Sequence, residues 1–313
     1  MSEVEARELR YFAAVAEELN FSRAARRLGM AQPPLSKAIS QLESRLGVKL
    51  LKRTTREVSL TPAGQALLDN GRVALEAVTA AVQRAQRAGQ PEPRLTVAVK
   101  PGSDGGLLRD IIAAYQAPGR PAVHVLVGSW GQPEALLCEG RADVALMRSP
   151  FNPRGIEVDE LLCEPRLAAL PAGHRLAARA RLRRADLAGE PLPRWAGASQ
   201  DTAAYWAGRD SGTAGTAWPA HQPPDPGLPG PQVSDLAQLL EVIALGQAIA
   251  FLPASTARRH PRDDVIYRPV ADLSPSTIAI SWPDGCRSPA VAAFVAAATD
   301  IAARDPDSAA ALA

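Results

Sequence analysis

Two short amphipathic segments joined by a glycine-centred turn, within residues 21–43, constrain the fold more than any other part of this chain. Ser22 can cap the first segment, because its hydroxyl can accept a hydrogen bond from a backbone N–H that has no partner inside the helix. Gly29 can adopt the left-handed conformation that ends a helix, and Pro33 and Pro34 suit the first turn of the next one. The sequence therefore predicts a helix-turn-helix.

The second segment has an apolar face and a polar face. Its apolar residues recur at helical spacing, and they are Leu35, Ala38, Ile39, Leu42 and Leu46. The other face carries Gln32, Pro33, Ser36, Lys37 and Ser40. A helix of this kind packs through the first face and offers the second to a groove of nucleic acid.

Charge supports this interpretation. Residues 20–56 contain nine basic side chains and one acidic side chain, Glu43, in a protein whose net charge is only +2. Residues 1–90 carry an excess of five positive charges and residues 91–313 an excess of three negative charges. The sequence therefore assigns phosphate binding to the N-terminal part. A solvated basic face on an ordinary helical hairpin is the alternative.

Motifs at fixed spacing connect this region to a known family. They are LRYF at 9–12, AARRL at 24–28, AQPPLS at 31–36, QLE at 41–43, LG at 46–47 and LTPAG at 60–64. Together they resemble the DNA-binding half of the LysR-type transcriptional regulators. The QPPLS version resembles the branch of that family that controls the catabolism of aromatic compounds.

The resemblance implies a domain plan for the whole chain. Residues 1–60 would form an all-α winged helix-turn-helix that binds promoter DNA, and residues 61–90 a linker helix. Residues 91–313 would form a two-lobed α/β effector-binding domain that resembles type 2 periplasmic binding proteins. Lobe I would comprise 93–162 and 266–313, and lobe II 163–265.

The expected DNA contacts lie on the helix-turn-helix and on a basic two-stranded wing between Val48 and Leu60. They are Ser22, Arg23, Gln32, Pro33, Pro34, Ser36, Lys37, Ser40, Arg53 and Arg56. Family members often carry Ser or Thr as the helix cap where Ala31 stands here, so the sequence leaves the capping of the second helix open.

A long helix is predicted after the wing, opened by the Thr61-Pro62 cap and ended near Gly89. Its apolar residues repeat at spacings of three and four, which is typical of a coiled coil. This pattern, like the family's linker helix, predicts a homodimer, and the resemblance adds a homotetramer. Packing of the helix on its own C-terminal domain is the alternative.

Strands and helices alternate after residue 93, which predicts βαβ units with a parallel sheet. Ligands of such sheets bind beyond the carboxyl ends of the strands. The candidate residues there are Lys100, Ser103, Ser129, Trp130, Arg148, Trp195 and Ser199.

Arg148 matches a carboxylate geometrically, and an arginine at this place resembles the carboxylate-binding position of the aromatic-catabolism branch. We expect a small organic acid, with aromatic acids among the candidates, to bind between Ser103, Trp130 and Arg148. Alternatively, Arg148 forms a salt bridge between lobes or subunits, and Trp130 and Trp195 serve in packing.

Other classes of protein fit less well. The sequence lacks the nucleophile-elbow, Walker and dinucleotide-binding motifs of common enzymes, and its four histidines lack metal-ligand spacing, so neither an enzyme nor a cofactor is expected. No secretory signal or membrane-spanning run is apparent, which predicts a cytoplasmic protein. The three cysteines leave a redox sensor open as an alternative input, and an effector-independent regulator is another.

Overall fold

The computed structural model describes residues 4–53, 58–90, 92–129, 131–151, 153, 155–209 and 229–304. The chain divides into two compact units. The first unit comprises Met1–Pro91 with Cys138–Arg141, and the second comprises Glu92–Leu137 with Ala142–Ala313. The expectations for Arg56 and Trp130 lie outside the described residues.

The first unit contains the predicted helix-turn-helix, wing and long helix. Its elements are α1 (Ala6–Glu18), α2 (Phe21–Arg27), α3 (Gln32–Leu46), β1 (Leu51–Arg53), β2 (Val58–Leu60) and α4 (Pro62–Ala88). β1 and β2 pair in antiparallel fashion, which confirms the two-stranded wing. α4 has 27 residues and ends at Gly89, as predicted.

The N-terminal caps of α2 and α3 differ in one respect from the prediction. Asn20, not Ser22, caps α2, because the Asn20 side chain accepts a hydrogen bond from the Arg23 N–H at 3.0 Å and Ser22 lies inside the helix. Gly29 has a φ of 66° at the turn, as expected. Ala31 begins α3 without a side-chain cap, and the neighbouring prolines lack the N–H groups that such a cap would satisfy.

The core of the first unit lies where the amphipathic faces of α1, α2 and α3 meet. Leu35, Ile39 and Leu42 of α3 are fully buried, and they pack in one cluster with Phe12 and Val15 of α1. Burial of each such side chain contributes roughly 1.5–3 kcal/mol. The apolar face of α3 is therefore fixed in the core, which leaves its polar face outward.

The second unit is built from ten strands and six helices among the described residues. Its strands are β3 (Arg94–Val99), β4 (Ala122–Val127), β5 (Val144–Arg148), β6 (Ile156–Glu164), β7 (Arg166–Pro171), β8 (Leu192–Trp195), β9 (Pro229–Val233), β10 (Ala250–Pro253), β11 (Val265–Pro269) and β12 (Ser276–Pro283). Its helices are α5 (Leu108–Tyr115), α6 (Gln132–Cys138), α7 (Gln200–Trp206), α8 (Leu236–Ala244), α9 (Ala254–Arg259) and α10 (Pro289–Arg304).

The larger sheet has the strand order β4-β3-β5-β12-β6. β3 is parallel to β4 and β5, as the alternation of strands and helices predicts, whereas β12 is antiparallel to both of its neighbours. Its core includes Tyr115 and Phe294, whose rings meet edge to face at 5.3 Å. The carboxyl ends of β3, β4 and β5 thus share one edge of the sheet.

The smaller sheet has the order β10-β7-β11, is antiparallel throughout, and is accompanied by the parallel pair β8–β9. Neighbouring residues of its central strand enter different clusters: Ala168 packs with Phe251, and Ala169 packs with Leu252. This alternation shows that both faces of β7 are covered, since successive side chains of a strand point to opposite faces.

Two segments of the chain connect the larger and the smaller sheet, and their positions differ from the predicted lobe boundaries. The chain leaves the larger sheet after Glu164, close to the expected crossover at Cys163. It returns only between Pro269 and Ser276, so the boundary expected at Val265 is wrong, because β11 still pairs with β7. The prediction also omitted β6, α7, β9, α9 and β11. Residues 210–228, which precede β9, lie outside the described parts.

Candidate functional site

The polar face of α3 forms the first candidate site. Gln32, Pro33, Pro34, Lys37 and Ser40 are exposed, and Ser36 is half-buried. Ser22 and Arg23 of α2 are also exposed. The structure thus leaves the predicted side chains of both helices accessible, while the apolar residues between them hold the helices in the core.

The charge of this surface is smaller than the count over residues 20–56 indicates. Arg23 donates a hydrogen bond to the Glu18 carboxylate at 3.2 Å, and Arg27 donates one to Glu17 at 2.7 Å. Arg45 is paired with Glu8. All three carboxylates belong to α1, outside the counted window, so the predicted excess of eight charges overstates the local field.

Three basic side chains of the window remain without a carboxylate partner in the described parts of the chain. They are Arg26, Lys37 and Lys52, and each is exposed. Lys37 lies on the polar face of α3 and Lys52 on the wing strand β1. The cations most available to phosphate therefore belong to the helix-turn-helix and to the wing.

The second candidate site surrounds Arg148, at the end of β5, whose side chain is only 6% exposed. Its Nη1 donates to Glu164 Oε1 at 2.6 Å and to Ser276 Oγ at 2.9 Å, and its Nη2 donates to Ser255 Oγ at 3.2 Å. Glu164 also accepts the Ser255 N–H at 2.5 Å. Arg148 is thus held by Glu164 and Ser276 of the larger sheet and by Ser255 of α9, and its salt bridge joins two groups of the larger sheet.

Two predicted residues lie in the turn that follows β3. The Ser103 hydroxyl is buried, 2.8 Å from the Lys100 carbonyl oxygen and 3.2 Å from that of Leu146. Burial and, to a smaller extent, the nearby charge of Arg148 together lower the pKa of Lys100 to about 8. Lys100 and Arg148 therefore place two cationic groups at the carboxyl ends of adjacent strands.

A third cation, the guanidinium of Arg259, lies beside the glycines of this turn. A Cβ at Gly106 would lie 1.9 Å from Nη1 of Arg259, the far end of an exposed and flexible side chain, so that guanidinium lies directly beside the turn. A Cβ at Gly105 would lie 3.8 Å from Nη2 of Arg148. The Nε of Arg148 is buried and has no hydrogen-bond partner in the part of the chain that the structure describes. The cluster is therefore strongly cationic, with Glu164 as a built-in counter-ion.

Sequence reasoning missed Glu164, Ser255, Ser276 and Arg259. Ser255 and Arg259 lie on α9, directly after a buried strand, and that position is the signal that could have found them. Glu164 gave no such signal, because it ends a strand that the pattern did not predict.

The other predicted effector residues have structural contacts of their own. Ser199 caps α7 by accepting the Thr202 N–H at 3.2 Å, and Trp195 packs against the core of the smaller sheet. Ser129 is exposed, and its N–H donates to the Gln132 side chain at 2.7 Å. The structure therefore brings together Lys100, Ser103 and Arg148, and gives Ser199 and Trp195 roles in capping and packing.

Metal binding, membrane insertion and thiol chemistry are the other possibilities to consider for the described residues. No group of three or more His, Cys, Asp or Glu side chains there could hold a metal ion. None of the helices described is long and apolar enough to cross a membrane. Burial raises the pKa of the Cys163 thiol, which disfavours its reactive thiolate form.

Comparison with known proteins decides the family. Residues 6–65 match the family described as bacterial regulatory helix-turn-helix protein, lysR family, and residues 88–303 match the LysR substrate binding domain. The chain belongs to the LysR family. It is a LysR-type transcriptional regulator with a helix-turn-helix DNA-binding domain and an effector-binding domain.

Full-length relatives agree with this assignment. The chain is 29% identical to the Hca operon transcriptional activator HcaR of Escherichia coli over 299 residues, covering 94% of this chain and 96% of that protein. It is 30% identical to the HTH-type transcriptional regulator CatR of Pseudomonas putida, covering 92% and 96%. A crystal structure of a full-length BenM mutant shares 25% identity, covers 96% of both chains and superposes with a TM-score of 0.55.

Proposed function

We propose that the regulator reads promoter DNA with the exposed face of α3 in the major groove and with the wing on the flanking phosphates. The predicted contacts on this surface are Ser22, Arg23, Gln32, Pro33, Pro34, Ser36, Lys37, Ser40 and Arg53, with Arg56 beyond the described residues. The single observation that carries the proposal is the exposure of Lys37 beside buried Leu35 and Ile39. Its ammonium has no carboxylate partner in the described first unit and is available to DNA.

A gel shift on the intergenic DNA upstream of the gene tests this proposal. We expect retardation that weakens with salt, because phosphate binding releases counterions. The Lys37→Ala variant should bind more weakly, whereas the Arg84→Ala variant, which removes an exposed cation of α4, should bind like the wild type. Equal binding by Lys37→Ala and wild type would contradict the proposed groove face.

We propose that residues 1–60 are the DNA-binding domain, 61–90 the linker and 91–313 the effector-binding domain of a cytoplasmic protein. Lobe I would then extend to Glu164 and resume at Ser276. We further propose that α4 forms the dimer interface, because Val78 and Val82 are 41% and 51% exposed one helical turn apart. Tetramer assembly rests on the family resemblance.

Sedimentation of the full chain tests the role of α4. The pair Val78→Glu and Val82→Glu should convert the dimer to a monomer, because two carboxylates cannot be buried unpaired between helices. The Gln83→Glu variant introduces the same charge off this stripe and should remain a dimer. An assembly state unaffected by the Val78 and Val82 changes would place the interface elsewhere.

We propose that the effector is a small organic acid bound at Lys100, Ser103 and Arg148. An aromatic acid is one candidate, because the QPPLS motif resembles the branch of the family that controls the catabolism of aromatic compounds. A ligand carboxylate would compete with Glu164 for Arg148. Since Glu164 also binds Ser255 beside the smaller sheet, that competition would change the contacts between the two sheets. Such a change is the kind of differential interaction that can shift a conformational equilibrium and alter DNA binding.

Calorimetry with small aromatic and aliphatic carboxylic acids, each paired with its neutral amide, tests the effector class. We expect at least one acid to bind and its amide not to bind. The Lys100→Met variant should bind that acid with lower affinity. The Arg109→Ala variant removes an exposed arginine elsewhere in the second unit and serves as the control. If no acid binds and none alters the gel shift, the effector-independent alternative replaces this one.

The pH dependence gives a second criterion. Below pH 8 Lys100 is charged with or without ligand, so the affinity for the acid should be constant. Above pH 8 binding requires uptake of a proton by Lys100, so the affinity should fall by up to about tenfold per pH unit. In Lys100→Met this decline should disappear. The same decline in wild type and in Lys100→Met would show that another group titrates.

A further inference from the structure

Glu43, the one acidic residue among nine basic ones in residues 20–56, does not face outward with them. Its side chain is 3% exposed, although α3 presents a polar face to solvent. Oε1 of Glu43 accepts the backbone N–H groups of Leu50 at 2.9 Å and Leu51 at 3.1 Å. The carboxylate therefore joins the recognition helix α3 to the first strand of the wing.

The same stretch of backbone is held from its other side by Thr61. The Thr61 hydroxyl is 2.6 Å from the Lys49 carbonyl oxygen and 3.2 Å from that of Leu50, and the Thr61 N–H donates to the Leu50 oxygen at 3.0 Å. The hydroxyl oxygen also accepts the Gly64 N–H at 2.9 Å and thereby caps α4. Residues 49–51 thus lie between a side chain of α3 and the first residue before α4.

Gly64 shows how closely α4 approaches this stretch. A Cβ at this position would lie 2.0 Å from the Leu50 carbonyl oxygen, a backbone atom that cannot move aside as a flexible side chain would. The LTPAG sequence at 60–64 therefore supplies the cap, the proline of the first helical turn and the glycine that permits the approach.

We propose that residues 49–51 form a clamp through which the recognition helix, the wing and the start of the linker helix act as one reading unit. Glu43 and Thr61 are its positioning residues. Neither is assigned a contact with DNA. Their effect on binding would pass through Lys52 and Arg53, so the inference rests on the proposed role of the wing.

The two oxygens of the Glu43 carboxylate have different partners, so its role as a hydrogen-bond acceptor can be tested apart from the role of its charge. Both N–H groups bind the same oxygen, Oε1, while Oε2 is the atom 3.1 Å from Lys49 Nζ. A glutamine keeps one carbonyl oxygen that can accept both N–H groups and loses the negative charge that pairs with Lys49, whereas alanine loses the acceptor as well. Lys49 is 77% exposed on its side chain, so that ion pair is screened by water.

The test compares Glu43→Gln, Glu43→Ala, Lys49→Ala, Thr61→Ser and Thr61→Val in the full chain. DNA affinity is measured by fluorescence anisotropy over a range of salt concentrations. Amide hydrogen exchange follows the peptide that contains Leu50 and Leu51. Exchange reports the clamp directly and does not depend on whether the wing binds DNA.

We expect Glu43→Ala and Thr61→Val to increase exchange in this peptide and to weaken DNA binding by about tenfold. The slope of log K against log salt should decrease by up to about 1.8, as for two lost phosphate contacts. Wild-type exchange should be retained in Glu43→Gln, Lys49→Ala and Thr61→Ser. Two of these, Glu43→Gln and Thr61→Ser, should also bind DNA within about threefold of wild type, because their hydrogen-bond acceptors and donors remain.

Two results would overturn the clamp. Wild-type exchange and wild-type DNA binding in both Glu43→Ala and Thr61→Val would show that these residues position nothing. Loss of binding in Glu43→Gln as large as in Glu43→Ala would show that the charge matters and the acceptor does not. Increased exchange with unchanged DNA affinity would overturn the proposed role of the wing and leave the clamp intact. If Glu43→Ala does not fold, Thr61→Val provides the same comparison.

Discussion

The arginines of the two candidate sites differ in burial. In the first unit, the side chains of Arg23 and Arg27 are 59% and 53% exposed, and their carboxylate partners on α1 are also accessible to water. In the second unit, Arg148 is 6% and its partner Glu164 only 1% exposed. An exposed pair can open for a phosphate at little cost, whereas a buried pair resists the removal of either member.

A second buried arginine extends this contrast. Arg166, at the start of β7, is 1% exposed, its Nε donates to the Ser274 carbonyl oxygen at 2.7 Å, and its guanidinium lies 3.7 Å from the centre of the Tyr205 ring. Arg166 begins β7 directly after the first passage between the sheets, and Ser274 belongs to the second passage. Arg23 and Arg27 of the first unit are therefore accessible to a partner, whereas Arg148 and Arg166 of the second unit are buried near the passages between its sheets.

The largest expected effect is on the buried pair. Glu164→Ala should lower the free energy of unfolding by about 3–5 kcal/mol, because Arg148 would remain buried without its counter-ion. All five tryptophans follow residue 129, so urea unfolding followed by tryptophan fluorescence reports the second unit. A loss below about 1 kcal/mol would show that water replaces the carboxylate and that the pair behaves like a surface pair.

A smaller effect is expected at the cap of α2. Asn20→Ala should cost about 1 kcal/mol of stability, since it removes the acceptor of the Arg23 N–H. Ser22→Ala is the matched control and should cost much less, because Ser22 lies inside the helix. Circular dichroism at 222 nm in urea measures both. The reverse order would restore Ser22 as the cap.

An exposed pair of the first unit should matter less still. Glu17 accepts hydrogen bonds from Arg27 and Arg72, and although burial raises its pKa, these two bonds outweigh burial and lower it. Glu17→Gln should nevertheless cost less than about 1 kcal/mol, because water screens both pairs. A cost as large as that of Glu164→Ala would remove the contrast between the units.

The smallest effect concerns DNA. Glu18→Gln should strengthen binding to DNA of any sequence by no more than about threefold, because it frees Arg23 from an exposed ion pair. Anisotropy with an unrelated duplex measures it. Weaker binding would mean that Glu18 holds Arg23 in the orientation that contacts phosphate.

Local patterns predicted the first unit well. The spacing of Leu35, Ile39 and Leu42 and the Thr61-Pro62 cap located α3 and α4, because both signals arise within a few residues of each other. The Ser22 cap was wrong, since Asn20 two residues earlier offers an equivalent acceptor. The charge count was correct but overstated the local field, because Glu17 and Glu18 of a different helix pair with Arg27 and Arg23.

In the second unit, pairings between residues that are distant in sequence limited what the sequence could predict. Arg148 could be identified at the end of a buried strand, but Glu164 and Ser255 lie 16 and 107 residues away along the chain. The return to the larger sheet was placed too early because β11 is assigned to its sheet only by pairing with β7. No local pattern contains that information.

The salt dependence of DNA binding, measured by anisotropy on the upstream intergenic duplex, tests the central claim most directly. That claim is that Lys37, which has no carboxylate partner among the described residues, contacts phosphate. Lys37→Ala should bind more weakly than wild type, with a slope of log K against log salt smaller by about 0.9, whereas Arg84→Ala should match wild type in both quantities. An unchanged affinity and slope in Lys37→Ala would contradict the account.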